Sequence, residues 1–245
     1  MTNSRPSVDI VLPVHNEAES IGQTLGEFHR VVAVEGGIPI RFVVCEDGSR
    51  DNSVAVLKEL SLKLPILLIS EPTRKGYSRA VIDGFLRTDA PLVGFIDSDG
   101  QCEPKDFSKF YEAQSTGDFD LVFGYRNPRH DHIVRILMSG AFGLVYRMLF
   151  RIPLKDPSCP FLLIRRESLL KVLKGNLGIL KQGFWWEFCA RCIAAHLRIK
   201  ELPVAHRARS SGQTQVYLPS KVPKIAWEHL NGLFRLRKEL DSMRD

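Results

Sequence analysis

The chain has 245 residues, 44% of them hydrophobic, five cysteines and a formal charge of +6 at neutral pH. That is enough for one sizeable core, so a single domain is expected, and without an apolar run of about 18 residues a membrane-spanning helix is excluded. The positive balance suits anionic partners such as nucleotides, lipid phosphates, membrane surfaces or nucleic acid, without choosing among them.

Val8 to Val14 opens as a strand that Pro13 marks for exit, and Asn16 with Glu19 predicts a capped helix start. Ile21, Leu25, Phe28 and Val32 give that helix one apolar face. Ile40 to Cys45 is a second strand, ending in Glu46-Asp47-Gly48-Ser49, and a helix follows from Asp51. Ile66 to Ile69 is a third strand, and the charged loop Glu71 to Gly76 feeds a helix reaching Arg87. The fourth strand is the apolar run beginning at Pro91, which closes on Asp97-Ser98-Asp99-Gly100-Gln101; Pro104 suits the first turn of the next helix.

This alternation with short links predicts an α/β fold, with parallel strands, right-handed crossovers and helices on both faces of the sheet. In such a sheet, ligands bind outside the carboxyl ends of the strands. All four of these ends carry polar clusters: His15 to Glu17, Glu46 to Gly48, Glu71 to Lys75, and Asp97 to Asp99. Two aspartates at i and i+2 on a chain leaving a sheet can reach one hard cation, whose shell waters and phosphates complete. The tripeptide alone reads more readily as a plain surface turn or cap.

Beyond residue 119 the rhythm changes. Asp120 to Gly124 reads as a fifth strand, 133–150 as a long helix, Phe161 to Arg165 as a strand and Ser168 to Lys174 as a short helix. Gln182 to His196 is helical, Ile199 to Val204 is a strand, and a basic amphipathic helix follows Ser220. Cys189 and Cys192 form one C-x-x-C inside the aromatic-rich helix and read as core residues. The odd cysteine count and the lack of a signal segment lead us to expect a reducing, cytosolic setting.

Taken together, Val11 to Glu17, Glu46 to Asp51, Lys75-Gly76, Asp97 to Gln101, Gly124 to Arg126, Asp156-Pro-Ser158, Glu187 and Arg207 to Thr214 resemble family 2 glycosyltransferases with the GT-A fold. The likeness is to the polyprenyl-phosphate (dolichol-phosphate mannose or glucose synthase) type, and covers residues 7–216. It implies one GT-A domain with a nucleotide-sugar half (7–118), an acceptor half (119–216) and a C-terminal helix (217–245). It implies that Pro13, Glu17 and Asp47 hold the nucleoside, with His15 where Tyr is common. Asp97 and Asp99 would engage Mg2+ or Mn2+ and the diphosphate, with Ser98 between them and Gln101 close by. Arg126, Arg207 and Arg209 would sit at the acceptor phosphate. The chain departs from the family at Cys159-Pro160-Phe161, where Ser-Gly-Phe is usual.

Each assignment has a structural counterpart. Asp47 can cap the following helix, Glu17 favours a first helical turn with no further role, and Lys75 can cradle phosphate or be solvated. The arginines can neutralise Asp156 and Glu187 instead of binding an acceptor. A hydroxyl acceptor would need a carboxylate base, for which Asp156 and Glu187 are the candidates beside Asp99. A phosphate acceptor is already anionic and needs arginine forks. The expectation is therefore an inverting, metal-dependent transfer of a hexose from a GDP- or UDP-linked sugar to a polyprenyl phosphate, with a soluble or glycan hydroxyl as the alternative. Few aromatics in the basic loops speak against nucleic acid. Ile136 to Tyr146, fenced by Arg135 and Arg147, and the basic tail suit an anionic membrane surface, core packing or a homodimer contact.

Overall fold

The computed structural model describes residues 7–127, 133–150, 154–175, 177–180, 183–207 and 222–242. Strands β1 (Val8–Val14), β2 (Ile40–Asp47), β3 (Ile66–Glu71) and β4 (Leu92–Phe95) alternate with helices α1 (Ile21–Phe28), α2 (Ser53–Leu60) and α3 (Tyr77–Leu86). α1 runs on into a wider π-type stretch, His29–Glu35. The second half adds α4 (Pro104–Thr116), β5 (Leu121–Arg126), α5 (Ile133–Phe150), β6 (Leu162–Arg165), α6 (Arg166–Leu173), α7 (Phe184–Ala194), β7 (Ile199–Val204) and α8 (Val222–Ser242).

The strands form one seven-stranded sheet in the order β3-β2-β1-β4-β6-β5-β7. β6 runs antiparallel to both its neighbours, and every other pairing is parallel. This is the α/β architecture expected, with the antiparallel strand inside the sheet rather than at its rim. The carboxyl ends of β1 to β5 and β7 therefore share one edge with the chain entering β6.

Residues of β1 are buried along the whole strand, as are nearly all of those in β2, because helices cover both faces of the sheet. At Gly84 on α3, a Cβ would come within 2.6 Å of both Cys45 Sγ and Val11 Cγ1. The missing side chain lets α3 settle directly on β1 and β2. Phe95 at the end of β4 meets Trp185 of α7 edge-to-face, with ring centroids 4.4 Å apart. Truncating a fully buried Phe of this kind costs about 3–5 kcal/mol. At the opposite edge, buried Asp9 accepts two 2.8 Å hydrogen bonds from Arg41 and the amides of Asp89 and Ala90.

The first helix starts later than expected. Asn16 has φ 58 and its amide donates to Ser49 Oγ at 3.0 Å, so the chain turns through Glu17–Ser20 before α1 begins. The tail helix packs inward: Leu233, Leu236 and Leu240 of α8 are buried, and Arg237 donates to the Leu149 carbonyl of α5 at 3.0 Å. Leu144 and Met148 on α5 and Phe234 on α8 stay largely exposed, whereas Tyr146 is buried with its hydroxyl on the Trp186 carbonyl. The side chains of 136–141 and of Lys221 and Lys224 lie outside the described residues. Among the described residues no helix is long and apolar enough to cross a membrane.

Candidate active site

The first two strand ends are tied into one wall. Asn16 Oδ1 accepts from the Arg50 amide at 2.8 Å, the Glu17 amide donates to Ser53 Oγ at 2.9 Å, and the Ala18 amide donates to Asp51 at 3.1 Å. His15 Nδ1 donates to the Asp47 carbonyl at 2.9 Å, which fixes the ring's tautomer and direction. Glu17 accepts from Ser20 Oγ at 2.7 Å. Pro13 is buried within β1, paired with Cys45, so it shapes the strand exit.

Asp47 reaches across to the third strand end. Its two oxygens accept from the amides of Lys75 (2.6 Å) and Gly76 (2.8 Å), while Gly48, at φ 63, lets the loop 73–74 approach to within van der Waals range. A carboxylate has about four lone-pair positions, so two remain for a further donor. Lys75 is drawn to Glu71 at 2.7 Å and lies 3.5 Å from Asp83.

The Asp97-Ser98-Asp99 turn sits on the same edge. Asp97 Oδ1 accepts from the Tyr77 hydroxyl at 3.0 Å, and that hydroxyl accepts from Trp185 Nε1 at 2.9 Å. Tyr77 as a whole stays 40% exposed; desolvation of its phenol end, and next the charge of Asp97, raise its pKa above the ordinary value. Asp99 Oδ1 accepts from the Gln101 amide at 3.1 Å, and the Ser98 carbonyl accepts from Thr24 of α1 at 3.3 Å. Two carboxylates at i and i+2 are a hard-oxygen donor set for a divalent cation that shares its shell with waters and phosphates. Among the described residues no three His, Cys, Asp or Glu side chains gather into a closed metal cage. It is as a pair of hard-oxygen donors that Asp97 and Asp99 fit an open Mg2+ or Mn2+ site.

Gln101 also ties this turn to the chain leaving β7. Its Nε2 donates to the Arg207 carbonyl at 3.1 Å, the Arg207 amide donates back to the Gln101 carbonyl at 3.0 Å, and Cys102 bridges His206. The Arg207 guanidinium is held between Glu27 (2.9 Å) and Glu103 (2.6 Å). These pairs tie the chain leaving β7 to α1 and to the start of α4. Arg209 lies outside the described residues.

Arg126, at the end of β5, grips Asp156 with Nε at 2.7 Å and Nη2 at 3.0 Å, and Ser158 Oγ hydrogen-bonds both. Both charged groups are buried. Burial, and then the charge of Asp156, push the pKa of the Cys159 thiol up. Glu187 is fully buried and accepts from the amides of Gly178 (3.2 Å) and Leu180 (2.9 Å) and from Arg191 at 3.0 and 2.9 Å. Arg191 continues to Glu239 of α8 at 3.0 Å. A carboxylate so enclosed ties α7 to the 178–180 segment and, through Arg191, to α8.

Residues 9–173 match the model of the family described as "Glycosyl transferase family 2". The chain belongs to that family. The dolichol-phosphate mannosyltransferase of Pyrococcus furiosus is 26% identical over 94% of this chain and 64% of its own length. The undecaprenyl-phosphate 4-deoxy-4-formamido-L-arabinose transferase of Pseudomonas fluorescens is 25% identical over 90% of this chain and 63% of its own. The chain thus spans slightly under two thirds of these relatives. Among solved structures, the glucosyl-3-phosphoglycerate synthase of Mycobacterium tuberculosis superposes with a TM-score of 0.65 at 16% identity, covering 95% of this chain and 78% of that one. The mannosyl-3-phosphoglycerate synthase of Rubrobacter xylanophilus gives 0.63 at 16% identity, covering 96% and 75%. Both likenesses show the fold, which is the GT-A fold.

Within this family 2 domain, the strand-end clusters of β1 to β4 come together as the sequence suggests. Two contributors escape sequence reasoning. Tyr77 carries no motif, and its only signal is a large polar aromatic immediately after Lys75-Gly76, where a helix begins. Trp185 reads as core; its ring does pack on Phe95, yet its N–H reaches the site through Tyr77.

Proposed function

We propose that this family 2 domain transfers a hexose from a nucleotide sugar to a polyprenyl phosphate, with inversion and with a divalent cation. The observation that carries the donor half is the convergence of Asp97 and Asp99 with the His15–Glu17 and Asp47 loops on one sheet edge. The loops of β1 and β2 would hold the nucleoside between them, with Asp47 using its remaining lone pairs. Asp97 and Asp99 would hold Mg2+ or Mn2+; when bound, such an ion neutralises the charge developing on a departing diphosphate. A structural neighbour was crystallised with Mn2+ and uridine diphosphate, and a second crystal with Mg2+. Attack in a single displacement, from the face opposite the diphosphate, inverts the anomeric carbon. The acceptor half rests on the relatives, whose names specify dolichol and undecaprenyl phosphates. An acceptor phosphate brings its own negative charge and needs no strong base, which agrees with a Glu187 buried in a structural pair.

A hydroxyl acceptor is the second reading, and one observation favours it. Arg126 and Arg207 are already matched by Asp156, Glu27 and Glu103, so the cations that a phosphate would need are engaged elsewhere. One experiment separates the two: radiolabelled GDP- and UDP-hexoses are offered with polyprenyl phosphate or with sugar acceptors, with EDTA and then with Mn2+ restored. Cation-dependent label in the lipid phase supports the first reading; label only in soluble glycan overturns it. Exposed Leu144, Met148 and Phe234, near basic Arg147, Arg235 and Lys238, would favour peripheral contact with an anionic bilayer.

A further inference from the structure

We propose that Tyr77 is a positioning residue for Asp97, itself oriented by Trp185, so that α3, β4 and α7 jointly set the direction of the first carboxylate of the Asp-Ser-Asp turn. This rests on the cation–diphosphate reading of that turn. A carboxylate on a short turn can rotate about its χ angles, and a cation ligand must present an oxygen in one direction. The Tyr77 hydroxyl donates to Oδ1 of Asp97 at 3.0 Å, and holding one oxygen fixes where the other points.

The hydroxyl is itself constrained. Trp185 Nε1 can only donate, and it does so to the Tyr77 oxygen at 2.9 Å, which turns the phenolic proton away from the indole and toward Asp97. Trp185 cannot drift, because it is wedged against Phe95 at 4.4 Å, Phe184 at 5.0 Å and Phe188 at 5.6 Å. Tyr77 is anchored from below by its place at the first turn of α3, whose Ala80, Val81, Gly84 and Phe85 are buried on the sheet. Each member of the relay therefore stands on a rigid element, and the last of them touches the proposed ligand. Partners that orient a metal ligand typically change cation affinity by about 10- to 100-fold when removed.

The test uses the full chain and the substitutions Tyr77→Phe, Trp185→Phe and both together. Tyr77→Phe keeps the ring and deletes only the donor. Binding of UDP and of GDP is measured calorimetrically at a series of Mn2+ concentrations, alongside kcat and KM for the donor and the thermal midpoint. We expect Tyr77→Phe to weaken the Mn2+ dependence of nucleotide binding about tenfold, with the midpoint nearly unchanged and turnover recovered at high Mn2+. A residue that merely supports the fold would not be rescued by the ion. Trp185→Phe should give a smaller loss in the same direction, and the double variant should bind Mn2+ no worse than Tyr77→Phe, because Trp185 acts through the hydroxyl. Unchanged Mn2+ affinity in folded Tyr77→Phe would overturn the positioning role, as would additive losses in the double variant. If Tyr77→Phe fails to fold, a Trp185→Phe protein with parental Mn2+ affinity overturns the relay instead. Absence of any Mn2+-dependent nucleotide binding in the parent would overturn the underlying reading itself.

Discussion

Replacing Glu187 with Gln separates an anchor from a catalytic base, and the structure sets the size of the effect. The carboxylate is fully buried and accepts four hydrogen bonds, two from backbone amides and two from Arg191. Removing one partner of a buried ion pair costs about 3–5 kcal/mol, because the other charge is left uncompensated. Arg191 keeps Glu239, whose side chain is 25% exposed, so the lower end of that range applies. For 245 residues the unfolding entropy is about 0.5 kcal/mol per kelvin, so about 3 kcal/mol lowers the midpoint by about 6 °C. Below that midpoint, kcat should stay within about threefold of the parent, since the amide reaches nothing that reacts. Differential scanning calorimetry together with initial rates at 20 °C or so reads both quantities. A parental midpoint combined with a loss of turnover above about a hundredfold would refute the anchor and return Glu187 to the chemistry.

The other expected outcomes are more direct. Asp99→Ala should lose more than about a hundredfold in transfer while circular dichroism and the midpoint hold, since it alters a strand-end turn and not the core; near-parental turnover would dismiss the site. Arg126→Ala and Asp156→Ala should each cost about 3–5 kcal/mol in urea unfolding, and the double variant clearly less than the two together. Burial raises the Asp51 carboxyl, but hydrogen bonds from Ser53 and Ala18 outweigh it and hold the group below its ordinary 3.8. Its contribution is therefore present above about pH 4 and lost as pH falls further, so parent and Asp51→Asn should converge in stability on acidification. Anionic vesicles at low salt should carry the protein upward in a flotation gradient, and Leu144→Asp with Phe234→Ser should weaken this; no binding by the parent would dismiss the membrane surface.

The first half of the fold was legible because its information is local. An unbroken apolar run such as Phe42 to Cys45 can only be a strand covered on both faces, and the helices between fix parallel order and a shared edge. The Asn16 capping box misled for an equally local reason. Asn tolerates positive φ, and here the turn it makes serves the Ser49 and Arg50 contacts rather than a helix end. The direction of β6 was not legible. Four apolar residues between a loop and a helix carry no sign of whether they run with or against β4.

Site roles in the second half depend on partners far away in sequence. Arg207 is separated by 180 residues from Glu27 and by 104 from Glu103, so no window around it distinguishes an acceptor ligand from a clamp. The carboxylates show the same dependence. Glu187 has its cation four residues on, a spacing that marks neighbours on one helix face and was the available signal for an anchor. Asp156 finds Arg126 thirty residues back, across the β5 and β6 pairing, and Asp97 finds Tyr77 twenty residues back on another helix. In sequence these acids are interchangeable. What assigns them is the charge and hydrogen on the other side: a guanidinium turns an acid into a fixed counterion, whereas a neutral phenol fixes its direction and leaves its charge in place. Glu187 held by Arg191 is a case of the first, and the Tyr77 hydroxyl on Asp97, at the edge where the other strand ends meet, is a case of the second.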